Sequence, residues 1–348
     1  MKAARLYGKE DLRVVDVPVP EIGEKEILLK VRSTAICGTD IRMYKNGVDG
    51  IDENNPVTLG HEIAGTIETV GARITEYTPG TDVVVQPNMG CGVCDLCVSG
   101  NTQLCPNYHR ALGINLDGGF AEYVRIPEKA VVQGNLAEIP EGTSLELAAI
   151  AEPFSCVYNA FERCGIRPGD SVLVIVAGPI GILHGMLAKL AGASPVMLHD
   201  LSGERLKIAK KLEPFFTAIP KGELKERVYE LTGGKGADVG ITAAPSPQAQ
   251  IDAMDVAAVN GTVIFFGGLP KDKAKVPQDS NIVHYKQIWI TGTTRSNMSQ
   301  FRRSLKLIAD GRVDVSGIVT HKFPLEKIQK AFEQVIQGKG MKSVVTFG

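Results

Sequence analysis

The rhythm of apolar residues changes partway along this chain. Up to about residue 150 they fall in short β-type runs, as at 26–31, 63–70 and 82–86, separated by Gly and Pro turn signals. That texture predicts an irregular β domain. From about residue 170, apolar runs alternate with helical patterns: a strand at 171–176, a helix over 182–190, a strand at 196–198 and a helix over 205–212. Such alternation marks βαβ units around a parallel sheet. Further buried strands are predicted at 238–242, at 262–266 and near 288–291. The tail returns to mixed structure, with helices over 298–309 and 325–336 and a strand at 342–347. No internal repeat or low-complexity tract interrupts the chain. It therefore reads as an α/β protein of two unlike domains, 1–152 and 153–290, with 291–348 returning to the first.

Composition narrows the class. With 348 residues, 44% hydrophobic and 22% charged, the chain lies in the ordinary globular range with room for two domains. The formal net charge is −1 and no Lys/Arg run forms a basic stripe, which argues against a nucleic-acid partner. No apolar stretch approaches the roughly 20 residues that span a bilayer. The N-terminus, MKAARLYGKEDLRVV, carries charges where a secretory signal needs an apolar core. A soluble cytoplasmic protein without a membrane partner is expected. Seven cysteines, four of them clustered, fit a reducing compartment in which thiols are kept for metals. Cys156 and Cys164 are expected as buried apolar residues.

Cys91, Cys94, Cys97 and Cys105 form the stretch CGVCDLCVSGNTQLC, inside a lobe at 88–108. Two-residue spacings let neighbouring thiolates point at one centre, and the longer return brings the fourth around to close a tetrahedron. Adjacent sulfurs in this pattern are too crowded to pair as independent disulfides. Zinc is the expected ion. The rival is an iron–sulfur cluster, because the bacterial ferredoxin run also reads C-x-x-C-x-x-C and ends in Cys-Pro, as Cys105-Pro106 does. In that run three residues separate the third and fourth cysteines, whereas here there are seven.

Residues 170–181, DSVLVIVAGPIG, read as a buried strand entering a glycine turn that opens a helix. Gly178, Pro179, Ile180 and Gly181 would present backbone N–H groups and a helix N-terminus to a pyrophosphate. The full fingerprint is GxGxxG, and Val176 stands in place of its first glycine. Taken alone, the motif could be an ordinary βα turn. Asp200, 19 residues beyond Gly181, closes the next apolar run. A carboxylate there accepts hydrogen bonds from ribose hydroxyls and repels a 2′-phosphate, which selects NAD. Its plainer reading is a helix N-cap. Arg205 could instead face a phosphate, and His199 is read as structural or as a rim residue.

Donor atoms also occur in Cys37-Gly-Thr39-Asp40, in Gly60-His61-Glu62 and at Glu152. These, with the cysteine lobe, DGGFAEY at 117–123, EPFS at 152–155, AGPIG at 177–181 and THKFP at 320–324, run in an order that resembles the zinc-containing medium-chain dehydrogenases over essentially the whole chain. Within them it resembles the polyol (sorbitol and sugar-phosphate) branch. The resemblance implies a GroES-like β-rich catalytic domain and a Rossmann, doubly wound nucleotide domain. It also implies NAD and two zinc ions per chain, the four-cysteine zinc being structural.

In that family a second zinc, held through residues matching Cys37 and His61, polarises a substrate hydroxyl so that hydride passes to the nicotinamide. A third ligand would be Glu62 or Glu152, with one position open to substrate. Thr39 matches the hydroxyl that receives the substrate proton, and Asp40 matches a carboxylate orienting His61. Arg42 stands where the family's proton relay often ends in histidine. A guanidinium cannot take that proton, so the proton would leave through water, and Arg42 could bind a sugar phosphate. Arg295 matches an arginine that binds substrate hydroxyls in sorbitol dehydrogenases, but the aromatic residue that follows it there is Ser296 here. A homodimer or homotetramer, paired through the nucleotide domain's edge strand, is implied as well.

Other readings differ in substrate or in class. An L-threonine 3-dehydrogenase-like enzyme would use the same metal and hydride apparatus. An iron–sulfur electron carrier or a non-catalytic nucleotide-binding protein would not.

Overall fold

The computed structural model describes every residue except His109. It divides into two compact units, Met1–Ser155 with Arg295–Gly348, and Cys156–Thr294. Among the described residues no helix is long and apolar enough to cross a membrane.

The first unit is built on a seven-stranded sheet whose central strand is Ile27–Ala35. Side chains of that strand alternate between buried and half-buried until its last three residues, all buried. Glu62–Val70 pairs antiparallel on one side, with Ala35 opposite Glu62. Lys342–Thr346 pairs antiparallel too, with Ala35 opposite Val344. Asp82–Val85 and Leu136–Glu138 extend the sheet beyond Glu62–Val70, Val319–Pro324 extends it beyond Lys342–Thr346, and Tyr123–Ile126 pairs with the start of the central strand. A smaller three-stranded sheet joins Asp11–Asp16, Lys2–Gly8 and Val57–Thr58. Ile27, Leu29, Ile63, Ile67 and Val83 lie at the heart of one core, and Leu6, Leu59, Phe120 and Phe332 at the heart of another.

The second unit holds six parallel strands in the order Thr217–Ile219, Val196–His199, Val172–Ile175, Ala237–Thr242, Ala257–Phe265, Trp289–Gly292. Numbered along the chain this is 3-2-1-4-5-6, the doubly wound dinucleotide order. All four residues of Val172–Ile175 are buried, as expected of a strand covered on both faces. The predicted strand at 262–266 starts earlier, at Ala257. Asn260-Gly261 looks like a turn in sequence, but the strand absorbs it as a register shift, with Asn260 at φ +62°. The predicted helix over 325–336 opens with one 3-10 turn, Leu325–Lys327, before Ile328–Ile336. Val319–Pro324 was absent from the predicted elements because every second residue is exposed and its apolar signal is weak.

Candidate active site and metal centres

Strand register assembles the first cluster. Because Ala35 faces both Glu62 and Val344, the chain leaving the central strand carries Cys37 past the start of one neighbour and Lys342 at the start of the other. Ile36 N–H donates to the Ser343 carbonyl and continues that pairing. One donor atom each from Cys37, His61 and Glu62 lies within 4.8 Å of the others. Gly60 permits the bend before His61: it sits at φ +90°, and a Cβ there would lie 2.8 Å from the Phe120 ring.

Asp40, fully buried in the first turn of helix Gly38–Asn46, holds the two stretches together. Its Oδ2 accepts the Cys37 N–H at 2.8 Å and its Oδ1 the Gly60 N–H at 3.3 Å. His61 Nδ1 lies 3.3 Å from Asp40 Oδ1, an ion-pair distance without the alignment of a hydrogen bond. That orientation leaves Nε2 as the ring atom for a metal. Burial opposes a charge on His61, but Asp40 and Cys37 hold its pKa well above the usual 6.5.

Glu62 is fully buried. Its Oε1 accepts from Lys342 Nζ at 2.6 Å, whereas Oε2 has no hydrogen-bond partner. An orphaned carboxylate oxygen beside a thiol and an imidazole is what a bound cation would satisfy, so these residues fit a catalytic zinc. Glu152, in the first turn of helix Ala151–Cys164, is buried nearby but is not one of the three donors within 4.8 Å. Burial lifts its carboxyl to about 7, with the nearby Glu62 adding to the rise and His61 and Lys342 opposing it. Lys342 has no counterpart among the residues expected from sequence. Its signal is a single lysine opening an otherwise apolar strand, and that signal does not name a partner 280 positions away.

Thr39 is half-buried and Arg42 exposed, both on helix Gly38–Asn46. Arg295 takes a left-handed conformation, φ +55°, and its Nη1 donates to the Gln103 carbonyl at 2.8 Å. Ser296 is fully buried, its hydroxyl 2.5 Å from that of Ser155 and its carbonyl accepting from Gln86. It fills an internal polar position rather than standing in for an aromatic substrate contact.

In the cysteine lobe all four sulfurs converge. Cys91 and Cys97 Sγ are 3.9 Å apart and Cys94 and Cys105 Sγ 3.8 Å apart. A zinc–thiolate tetrahedron with bonds of about 2.3 Å has edges of about 3.8 Å, so the donor set fits zinc. Backbone N–H groups of Cys91 and Cys94 donate to the Cys105 and Cys91 sulfurs. Burial pushes the Cys97 thiol up to about 12. At Cys105 burial acts the same way but is outweighed by backbone N–H donors from Cys91, Tyr108 and Asn107, and the thiol falls to about 6. Cys164 is buried, as its apolar reading requires, whereas Cys156 is only half-buried.

In the second unit Gly178 caps helix Pro179–Leu190, with proline at the first helical position. A Cβ on Gly181 would lie 1.8 Å from the Val176 carbonyl, so strand and helix approach there only across glycine. Val176 itself sits at φ +92°, a conformation the fingerprint's missing glycine adopts freely. A branched residue holds it at a cost on the order of 1–3 kcal/mol. Asp200 is buried, its Oδ2 accepting the Ala177 N–H at 2.9 Å and its Oδ1 the Ser202 N–H at 2.8 Å. It is not the helix cap: Ser202 caps Gly203–Leu212. Arg205 Nη1 lies 4.0 Å from Asp200, and His199 is buried with Nδ1 2.9 Å from the Ile219 carbonyl.

Residues 23–140 match the alcohol dehydrogenase GroES-like domain, and residues 179–310 match the zinc-binding dehydrogenase domain. The chain is 31% identical to sorbitol dehydrogenase of Bacillus subtilis (strain 168), over 97% of this chain and 94% of the relative. It is 33% identical to L-threonine 3-dehydrogenase of Yersinia pestis (strain Pestoides F), over the whole of both. Among solved structures it resembles a zinc-binding dehydrogenase of Sinorhizobium meliloti 1021 bound to NADP, with a TM-score of 0.88, 28% identity and 99% of each chain covered. Matched end to end by such relatives, the chain belongs to the zinc-containing medium-chain dehydrogenases, oxidoreductases of the alcohol and polyol dehydrogenase kind that use a nicotinamide dinucleotide.

Proposed function

We propose that this dehydrogenase uses NAD to interconvert a secondary hydroxyl and a ketone on a polyol, a sugar or its phosphate. The observation that carries the reading is the convergence of Cys37, His61 and Glu62, with one carboxylate oxygen left for a cation. In this reading Cys37 and His61 hold the catalytic zinc, with Glu62 as third ligand and Glu152 as the carboxylate able to exchange with it. Zinc, when bound there, supplies Lewis acidity toward a substrate hydroxyl.

The chain's own groups do the rest. Asp40 fixes the His61 ring, and Thr39 takes the substrate proton. Arg42, on the same helix, cannot accept that proton in turn, so it departs through water. Gly178, Pro179, Ile180 and Gly181 bind the pyrophosphate through backbone N–H groups. The fixed negative charge of Asp200 favours ribose hydroxyls over a 2′-phosphate, with Arg205 tempering that preference.

Arg42, exposed on its helix, is assigned to an anionic substrate group. Arg295 is a weaker substrate candidate, because its guanidinium already serves the Gln103 carbonyl. The relative 33% identical over its full length favours L-threonine as the second substrate to try. The enzyme is read as cytoplasmic and as a homo-oligomer, either dimer or tetramer, joined through edge strand Trp289–Gly292, where Trp289 is 68% exposed.

The test is a screen of polyols, sugar phosphates and L-threonine with NAD and with NADP, following reduced nicotinamide. Turnover with NAD on a polyol or sugar phosphate is expected, with a KM for the phosphate that rises in Arg42→Ala. Turnover on threonine alone, or with NADP alone, would overturn the reading, and equal constants in wild type and Arg42→Ala would remove Arg42 from it.

A further inference from the structure

The Glu62–Lys342 pair is not explained by folding alone. Both residues are buried, and the 2.6 Å contact joins positions 280 apart in sequence. A buried ion pair adds little stability over apolar residues of similar size, and the rest of strand Lys342–Thr346 carries no charge. The pair is also incompletely satisfied. Lys342 engages Oε1 and leaves Oε2 with no partner, on a carboxylate whose donor atom lies within 4.8 Å of those of Cys37 and His61. Strand register puts the ammonium there: Val344 is opposite Ala35, so Lys342 stands beside the turn that carries Cys37.

We propose that Lys342 is a positioning residue for the metal centre: it occupies one oxygen of Glu62, so that the carboxylate offers the ion the other, and it offsets that ligand's charge. The inference rests on the reading that Cys37, His61 and Glu62 hold the catalytic metal. A thiolate and a carboxylate contribute two negative charges and Lys342 returns one positive. Buried Asp40, 3.3 Å from His61, adds one further negative charge, so Lys342 is what would keep a loaded divalent centre from becoming net negative and a weaker Lewis acid. Without the ammonium these negative groups would outweigh the charge of the ion. They would bind it more tightly and leave it a weaker Lewis acid. A side chain that merely braced the fold would have the opposite effect on affinity, since its loss would loosen the ligands.

The experiment measures zinc affinity in the holoenzyme by competition with a chromogenic chelator, the four-cysteine zinc serving as internal reference. Lys342→Met removes charge and donor, and Lys342→Gln removes the charge but keeps an N–H for Glu62. Because Lys342→Gln keeps a polar N–H donor in the buried position, it decides the matter if Lys342→Met fails to fold. In both variants the dissociation constant of the second zinc should fall by about tenfold or more, with that of the lobe zinc unchanged. Lys342→Arg should restore the wild-type constant. An unchanged or raised constant in Lys342→Gln would overturn the inference while leaving the metal site in place. A wild-type protein that yields a single zinc, from the lobe, would overturn both.

Discussion

Glu62 and Glu152 are both buried near His61, yet their settings differ. Glu62 accepts from Lys342 on one oxygen, and its other oxygen has no hydrogen-bond partner. For Glu152, burial lifts the carboxyl to about 7, with Glu62 adding to the rise, and its donor atoms lie outside the cluster of three. Glu62 is proposed as third ligand because its donor atom lies within 4.8 Å of those of Cys37 and His61. His184 lies in the other unit, Cys156–Thr294. It is buried edge-on to Phe266, with rings 4.7 Å apart, and desolvation drops its pKa from 6.5 to about 3. The unfolded chain takes up this proton near pH 6.5 while the folded chain refuses it until about 3, so the unfolded state binds more protons between those values. Stability should fall as pH drops through that window, by up to about 1.4 kcal/mol per pH unit. Denaturant melts of wild type and His184→Leu from pH 7 to 4 check this: the variant should lose about one proton's worth of slope, and identical slopes would contradict it.

Elements set which residues meet, and they set how much the sequence could reveal. The Val172–Ile175 strand and its glycine turn were legible because a fully buried parallel strand reads as an unbroken apolar run. The cysteine lobe was legible because its ligands are local. Cys37 and His61 were legible as donors only through family resemblance, since their meeting depends on the Ala35–Glu62 register, which no local pattern states. Lys342 was invisible for the same reason. Edge strand Trp289–Gly292 carries a further expectation, because Trp289 and Ile290 expose apolar surface where a sheet ends. Replacing Trp289 by Lys should shift sedimentation at micromolar concentration toward the monomer. A wild-type monomer, or an unaltered oligomer in the variant, would contradict pairing through that strand.

For the whole molecule, the two units divide the chemistry: one gathers both metal centres, the other the nucleotide turn. The account depends on the claim that the first unit holds two zinc ions with different jobs, one closed by four thiolates and one ligated by Cys37, His61 and a carboxylate. Zinc content by mass spectrometry of the intact, natively purified protein tests it most directly, in wild type and in His61→Ala. The account predicts about two zinc ions per chain in wild type and about one in the variant, retained on the cysteine lobe. One zinc in wild type, or two in both proteins, would contradict it.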